Sequence, residues 1–173
     1  NVFKDACQND GGPGNACTAE IAIWDSSTAG DFDGNEIYGN IFYKTTADGA
    51  TGGNIVVGGN GGSWVGVSAS NVLIYNNTIT AFSGTVGILI NGGTGNACRN
   101  NLYYNVTGSP TCTPNTSDNG EEVSDPFVNS GGANFHLTAA IAGFTLGSPY
   151  NTDLDGVTRG AGGTFDRGAY EYP

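Results

Sequence analysis

The stretch Ile37-Tyr38-Gly39-Asn40-Ile41-Phe42-Tyr43 returns in altered form as Ile74-Tyr75-Asn76-Asn77-Thr78-Ile79-Thr80, and again as Cys98-Arg99-Asn100-Asn101-Leu102-Tyr103-Tyr104. The offsets are 37 and 24 residues. A second series, Ile21-Ala22-Ile23-Trp24, Ile55-Val56-Val57-Gly58 and Ile88-Leu89-Ile90-Asn91, interleaves with the first at offsets of 34 and 33. Two strand types, each recurring once per unit, describe a coil that comes back on itself about every two to three dozen residues, with loops absorbing the differences in length. The pattern predicts an all-β chain, a short parallel β-helix of about three coils, with like strands stacked at about 4.8 Å.

Period-2 alternation assigns the faces. Ile21, Ile23, Ile55, Val57, Ile88 and Ile90 point inward as an aliphatic stack. Asn40, Asn77 and Asn101 fall at equivalent turn positions and form an inward ladder, each amide bonding its neighbours and the turn backbone. The opposite side of the second series carries Ala22, Val56 and Leu89, followed by Trp24. An outward apolar stripe is unusual on a solvated sheet, so a loop, the N-terminal segment or another subunit is expected to cover it. The segment before Glu20, with its Gly11-Gly12-Pro13-Gly14, is a candidate cover. The chain therefore reads as a cover over 1–19, coils over 20–112 and a closing segment of the same domain over 113–173.

Composition narrows the partners. The 173 residues are one domain's worth, and 30 Gly among them leave no dozen-residue window with an unbroken helical stripe. Five Lys and Arg against 16 Asp and Glu give a net charge of -11, which excludes a phosphate-neutralising surface and so a nucleic-acid partner. No apolar run approaches the roughly 18 residues of a transmembrane segment. Residue 1 is Asn with no charged-then-apolar leader after it, which suggests removal of an export signal or a cut from a longer chain. The four cysteines fall as two local pairs without C-x-x-C spacing. Three connectivities are open to them; the short loops favour disulfides Cys7 to Cys17 and Cys98 to Cys112, implying an oxidising, extracellular or cell-surface location. Asn76, Asn105 and Asn115 begin N-x-S/T sequons and are candidate glycosylation sites.

The tail reads Asp125-Pro126-Phe127-Val128, Phe135-His136-Leu137, Ser148-Pro149, Asp153-Leu154-Asp155-Gly156-Val157-Thr158-Arg159 and Asp166-Arg167-Gly168-Ala169-Tyr170-Glu171-Tyr172. In that order these motifs resemble the C-terminal end of secreted bacterial right-handed parallel β-helix repeat proteins of the pectate-lyase-like superfamily. The likeness covers about the last 50 residues. It implies a right-handed coil with a closing C-terminal segment, and says little of function, because such folds host lyases, hydrolases, epimerases, adhesins and proteins without known activity. Two positions depart from the pattern: Arg167 replaces an apolar residue, and Tyr150-Asn151 replaces Ala-Ile-Asp.

Candidate chemistry is sparse. His136 is the only histidine and sits in a packing motif, so imidazole metal triads are excluded. A β-helix polysaccharide lyase uses Arg or Lys as its base; Lys4, Lys44 and Arg99 are the cations outside the closing motifs, and Lys44 and Arg99 lie near the ends of equivalent strands but six register positions apart, so a shared cleft is not guaranteed. Asp25, Asp31, Asp33 and Glu36 supply carboxylates for a glycoside hydrolase if their spacing allows. Asn151, Asp153 and Asp155, followed by Gly156, imitate the first half of a calcium loop but lack the bidentate Glu, Gly162 standing at position 12. A structural turn pairing with Arg159 is the stronger reading. Phe42, Tyr43, Tyr103 and Tyr104, with Tyr38 and Tyr75, form aromatic columns suited to packing or to stacking on sugars. The expectation is a non-catalytic extracellular protein that self-associates as an oligomer or filament. No cofactor beyond a candidate Ca2+ is expected. The rival reading is a polysaccharide-binding or polysaccharide-cleaving module, or a fragment of one.

Overall fold

Apolar, β-branched and aromatic triplets bounded by Gly and Asn leave room only for very short strands, and the computed structural model has strands of three to five residues. It describes residues 1–4, 21–23, 33–44, 55–58, 69–82, 87–106 and 119–173. In chain order the strands are β1 (Val2–Lys4), β2 (Ile21–Ile23), β3 (Glu36–Tyr38), β4 (Ile41–Tyr43), β5 (Ile55–Val57), β6 (Leu73–Tyr75), β7 (Thr78–Phe82), β8 (Ile88–Ile90), β9 (Ala97–Arg99), β10 (Leu102–Val106), β11 (Gly120–Glu122), β12 (Phe127–Asn129) and β13 (Asn134–Leu137).

Three parallel sheets hold all but the last two. The first sheet runs β1-β4-β7-β10-β11, the second β2-β5-β8 and the third β3-β6-β9. From β1 to β10 the chain visits the three sheets in rotation, returning to each beside the strand it left there. The registers are those of the two sequence series: Ile37, Ile74 and Cys98 align, as do Phe42, Ile79 and Tyr103, and Ile21, Ile55 and Ile88. The stack is deeper than expected, because Val2–Lys4 pairs with β4 and Gly120–Glu122 with β10. Residues 1–4 are thus not part of a cover, and the closing segment starts after β11.

Sharp corners between sheets need left-handed backbone, which Gly and Asn adopt at least cost. Between the third and first sheets the residues are Gly39, Asn76 and Asn100, with φ of 62°, 55° and 56°. Each is followed by a ladder asparagine, which explains the repeated Gly-Asn and Asn-Asn pairs. A second such column, Gly34, Asn71 and Gly95, opens the third sheet.

Two apolar clusters result. The interior one holds Ile23, Ile37, Phe42, Ile55, Val57, Ile74, Ile79, Ile88 and Tyr103, with Phe3, Ile21 and Ile90 packed against it. Each fully buried aliphatic side chain contributes about 2–3 kcal/mol. The other cluster lies on the outer face of the first sheet, where Ile41, Tyr43 and Leu102 meet Phe127, Phe135, Leu137 and Ala169 of the closing segment. There β12 and β13 pair antiparallel around a 3-10 turn at Ser130–Gly132.

Candidate functional site

The asparagine ladder is the most regular polar feature. Asn40 Nδ2 donates to Asn77 Oδ1 at 3.0 Å, Asn77 Nδ2 to Asn101 Oδ1 at 2.9 Å, and the chain of amides extends to Asn1 and Asn119 at 3.0 and 2.8 Å. Asn77 is completely satisfied: its Oδ1 accepts from the Asn40 backbone and side chain, and its Nδ2 donates to Ile37 O and Asn101 Oδ1. Asn101 repeats the arrangement with Ile74 O and Asn119. Nothing is left over for a ligand. Asn1 and Asn119 were missed in the repeat reading, although each stands directly before a triplet that pairs in the stack.

The aromatic columns divide. Phe42 and Tyr103 face the interior, where Tyr103 is 1% exposed and its hydroxyl has no hydrogen-bond partner. Burial raises the Tyr103 pKa well beyond the ordinary phenol value. Tyr38 and Tyr75 sit edge-on to Tyr150, at ring-centroid distances of 5.1 and 4.9 Å. Tyr150 hydrogen-bonds Glu36, and desolvation with that bond pushes its pKa up to about 12. Packing uses these rings. Arg167 lies against Gly120, where a Cβ would stand 2.2 Å from Nη1.

The closing segment is held by single-use polar contacts. Arg159 is 5% exposed and donates to the carbonyls of Asp166 and Gly168 at 3.1 and 2.8 Å, with Glu171 3.7 Å away. Burial lowers the Arg159 pKa, and Glu171, Asp153 and Asp166 oppose that shift. Glu171 accepts from the amides of Gly160 and Asp166, and Asp166 from those of Ile141 and Tyr172. Gly168, at φ 90°, brings the backbone against the first sheet, where a Cβ would meet Thr78 Oγ1 at 2.7 Å. Ala169 N then donates to Thr78 Oγ1.

The Asp153 and Asp155 carboxylates of the calcium triplet have separate partners. Asp153 Oδ1 accepts from the amides of Asp155 and Val157 and Oδ2 from that of Glu171, and Arg159 pairs with the same turn, its amide donating to Asn151 O at 3.0 Å and its Nε to Thr152 O at 3.4 Å. Asp155 instead lies 2.8 Å from His136 Nε2. His136 stacks on Tyr170 at 4.1 Å, and its Nδ1 is 2.7 Å from Asn134 Oδ1, so both ring nitrogens are engaged. No group of three or more His, Cys, Asp or Glu placed to hold a metal occurs among the described residues.

Other candidates are corrected by burial. Val56, the middle of the apolar stripe, is 0% exposed within the single chain and cannot serve as an interface; Leu89 is half-buried, and Trp24 and the Ala22 side chain lie outside the described residues. Asn76 is 1% exposed and its Nδ2 donates to Tyr150 O, leaving no room for a glycan, whereas Asn105 is exposed. Cys98 is buried and disulfide-bonded, while Cys7, Cys17, Cys112 and Asn115 lie outside the described residues. So do Asp25 and Asp31. Arg99 lies over the Phe144 ring at 4.2 Å on the third sheet, away from Lys44 on the first.

One open concavity has the mixed lining of a binding site. It measures about 290 Å³ and lies where the outer face of the first sheet meets the 3-10 turn, beneath Ser130 and Gly131. Tyr43, Thr80 and Tyr104 come from one register row, continued by Lys4 on one side and Glu122 on the other. Phe135 closes the apolar side, and Lys44 and Asn105 follow the row at the strand ends. Lys44 is buried and has a partner within the chain. The sequence carried this site only as an aromatic patch, because the closing-segment half of its wall belongs to no repeat.

No protein-family model, curated protein or solved structure matches this chain.

Proposed function

We propose that the chain is a short right-handed parallel β-helix that acts outside the cell as a non-catalytic structural module and self-associates at the rung formed by Val2–Lys4. The cyclic visiting order of three parallel sheets supports the coil, and crossovers between parallel neighbours in one sheet are right-handed in nearly all proteins. The expected Cys7 to Cys17 and Cys98 to Cys112 bridges suit an oxidising location.

The observation that carries the reading is the unlikeness of the two ends of the interior column. In register that column runs Phe3, Phe42, Ile79, Tyr103, Glu121. At one end Phe3 is half-buried, stacked on Phe42 at 4.7 Å, and its neighbour Val2 is 58% exposed. At the other stands a carboxylate, a charge that discourages edge pairing. Head-to-tail growth would bring Glu121 onto the Phe3 position and strand a charge in an apolar column. Two Val2 rungs meeting about a two-fold axis bury apolar surface on both sides, so of the oligomer or filament expected a closed dimer is favoured.

Light scattering across a concentration series tests this. A dimer that reverts to monomer in Val2→Lys is the expected result; a strict monomer at millimolar concentration, or a dimer indifferent to Val2→Lys, would refute it.

A further inference from the structure

Tyr38 and Tyr75 stand in register on the third sheet, and Tyr150 reaches them from the closing segment, edge-on to both at ring-centroid distances of 5.1 and 4.9 Å. Among the described residues no other tyrosine rings meet one another. We propose that Tyr38 and Tyr150 are the site of an oxidative cross-link, a dityrosine bridge that ties the closing segment to the third sheet.

Exposure selects the pair. Tyr38 is 41% exposed, within reach of an oxidant from solvent, whereas Tyr75 is 9% exposed. Tyr150 is half-buried, and its backbone is fixed on both sides: its carbonyl accepts from Asn76 Nδ2 at 2.9 Å and its amide donates to Gly147 O at 2.9 Å. Two rings held in contact react at an effective concentration far above that of separate chains in dilute solution, so coupling within the chain outpaces coupling between chains.

The chemistry needs a one-electron oxidant, for which a haem peroxidase consuming hydrogen peroxide is the class. Each hydroxyl loses one electron and one proton, leaving a phenoxyl radical on each ring. The Tyr150 hydroxyl is hydrogen-bonded to Glu36, whose carboxylate is exposed and can pass that proton to water; the Tyr38 proton goes to solvent directly. A carbon ortho to oxygen on one ring then bonds to its counterpart on the other. The hydrogens on those two carbons are exchanged for protons on the two oxygens, which restores both phenols. The two electrons and two protons lost reduce one peroxide to two waters.

The test treats the intact chain, diluted until light scattering shows a monomer, with peroxidase and hydrogen peroxide. A parallel arm uses photo-oxidised tris(bipyridyl)ruthenium with persulfate, an oxidant small enough to reach any exposed ring. Dityrosine fluorescence gives the yield, and tandem mass spectrometry of the digest gives the residues joined. The expected result is a peptide pair linking Tyr38 to Tyr150, two hydrogen masses below the sum of its parts, in chains that still migrate singly on a denaturing gel. Fluorescence should fall tenfold or more in Tyr38→Phe and in Tyr150→Phe, which keep the rings, and stay unchanged in Tyr172→Phe, which removes a 38% exposed hydroxyl outside the cluster. Absence of the linked pair with both oxidants, a bridge to Tyr75 in place of Tyr38, links chiefly between chains, or undiminished fluorescence in Tyr150→Phe would overturn the proposal. The bridge is scored within single chains, so its failure and failure of the dimer are distinguishable.

Discussion

The molecule buries polar groups in two places and by two different means. At the corners before the strands of the first sheet, neutral amides repeat from strand to strand and satisfy one another, so each has the same solution. In the closing segment, Arg159, Glu171, Asp166 and Asp153 each satisfy particular backbone groups once, and charge opposes charge within a small buried volume. The first arrangement repeats from strand to strand. The second packs once along the outer face of the first sheet.

The largest effect that separates the two regions is expected at Arg159. Arg159→Met leaves Glu171 without its cation and two buried carbonyls without donors, a loss of about 3–5 kcal/mol. Hydrogen exchange checks where that loss falls: amides of residues 141–172 lose protection while those of residues 72–106 keep theirs. Equal loss in both would mean that segment and coils unfold as one unit.

Within the ladder, Asn77→Ala orphans the Asn40 amide and the Ile37 carbonyl, at a cost of about 3 kcal/mol. Asn1→Ala removes one end bond and costs about 1 kcal/mol or less. Urea unfolding of the pair measures the gradient. Equal effects would show that the ladder is not a chain of interdependent amides.

How much was legible follows from the same division. The strand registers could be read to the residue because Ile37, Ile74 and Cys98, or Ile21, Ile55 and Ile88, occupy the same environment and meet the same constraint. The Gly-Asn and Asn-Asn pairs carried the ladder for a similar reason: a left-handed corner followed by an inward amide has few residue solutions. The contacts of Asp153 were not legible, because they belong to a turn outside the repeats, whereas a cover over Val56 was expected and only its identity was not legible. The groove fell between these cases, its sheet half repeated and its 3-10 turn not.

A smaller test concerns the interior itself. Tyr103→Phe removes a buried hydroxyl that has no partner and should stabilise the chain by about 1 kcal/mol, seen as a higher urea midpoint at unchanged slope. A destabilisation would place an essential contact at that hydroxyl.

The smallest expected effect is alkaline. Tyr150 has its pKa raised to about 12 by desolvation and by its bond to Glu36, so the fold favours the neutral phenol. Its contribution is fully present below pH 10 and is lost as the pH rises through 12. Thermal melts of Tyr150→Phe should therefore fall less steeply than those of the parent over that window. Parallel curves would remove the Tyr150 contribution.

The parallel pairing of strands in this register is tested most directly by nuclear Overhauser contacts between methyl groups. Ile55 should touch both Ile21 and Ile88, Ile74 should lie beside Ile37, and Ile21 should show no contact with Ile88 two rungs away. Close Hα–Hα contacts between these strands, the mark of antiparallel pairing, or a register displaced from these pairs, would contradict the account.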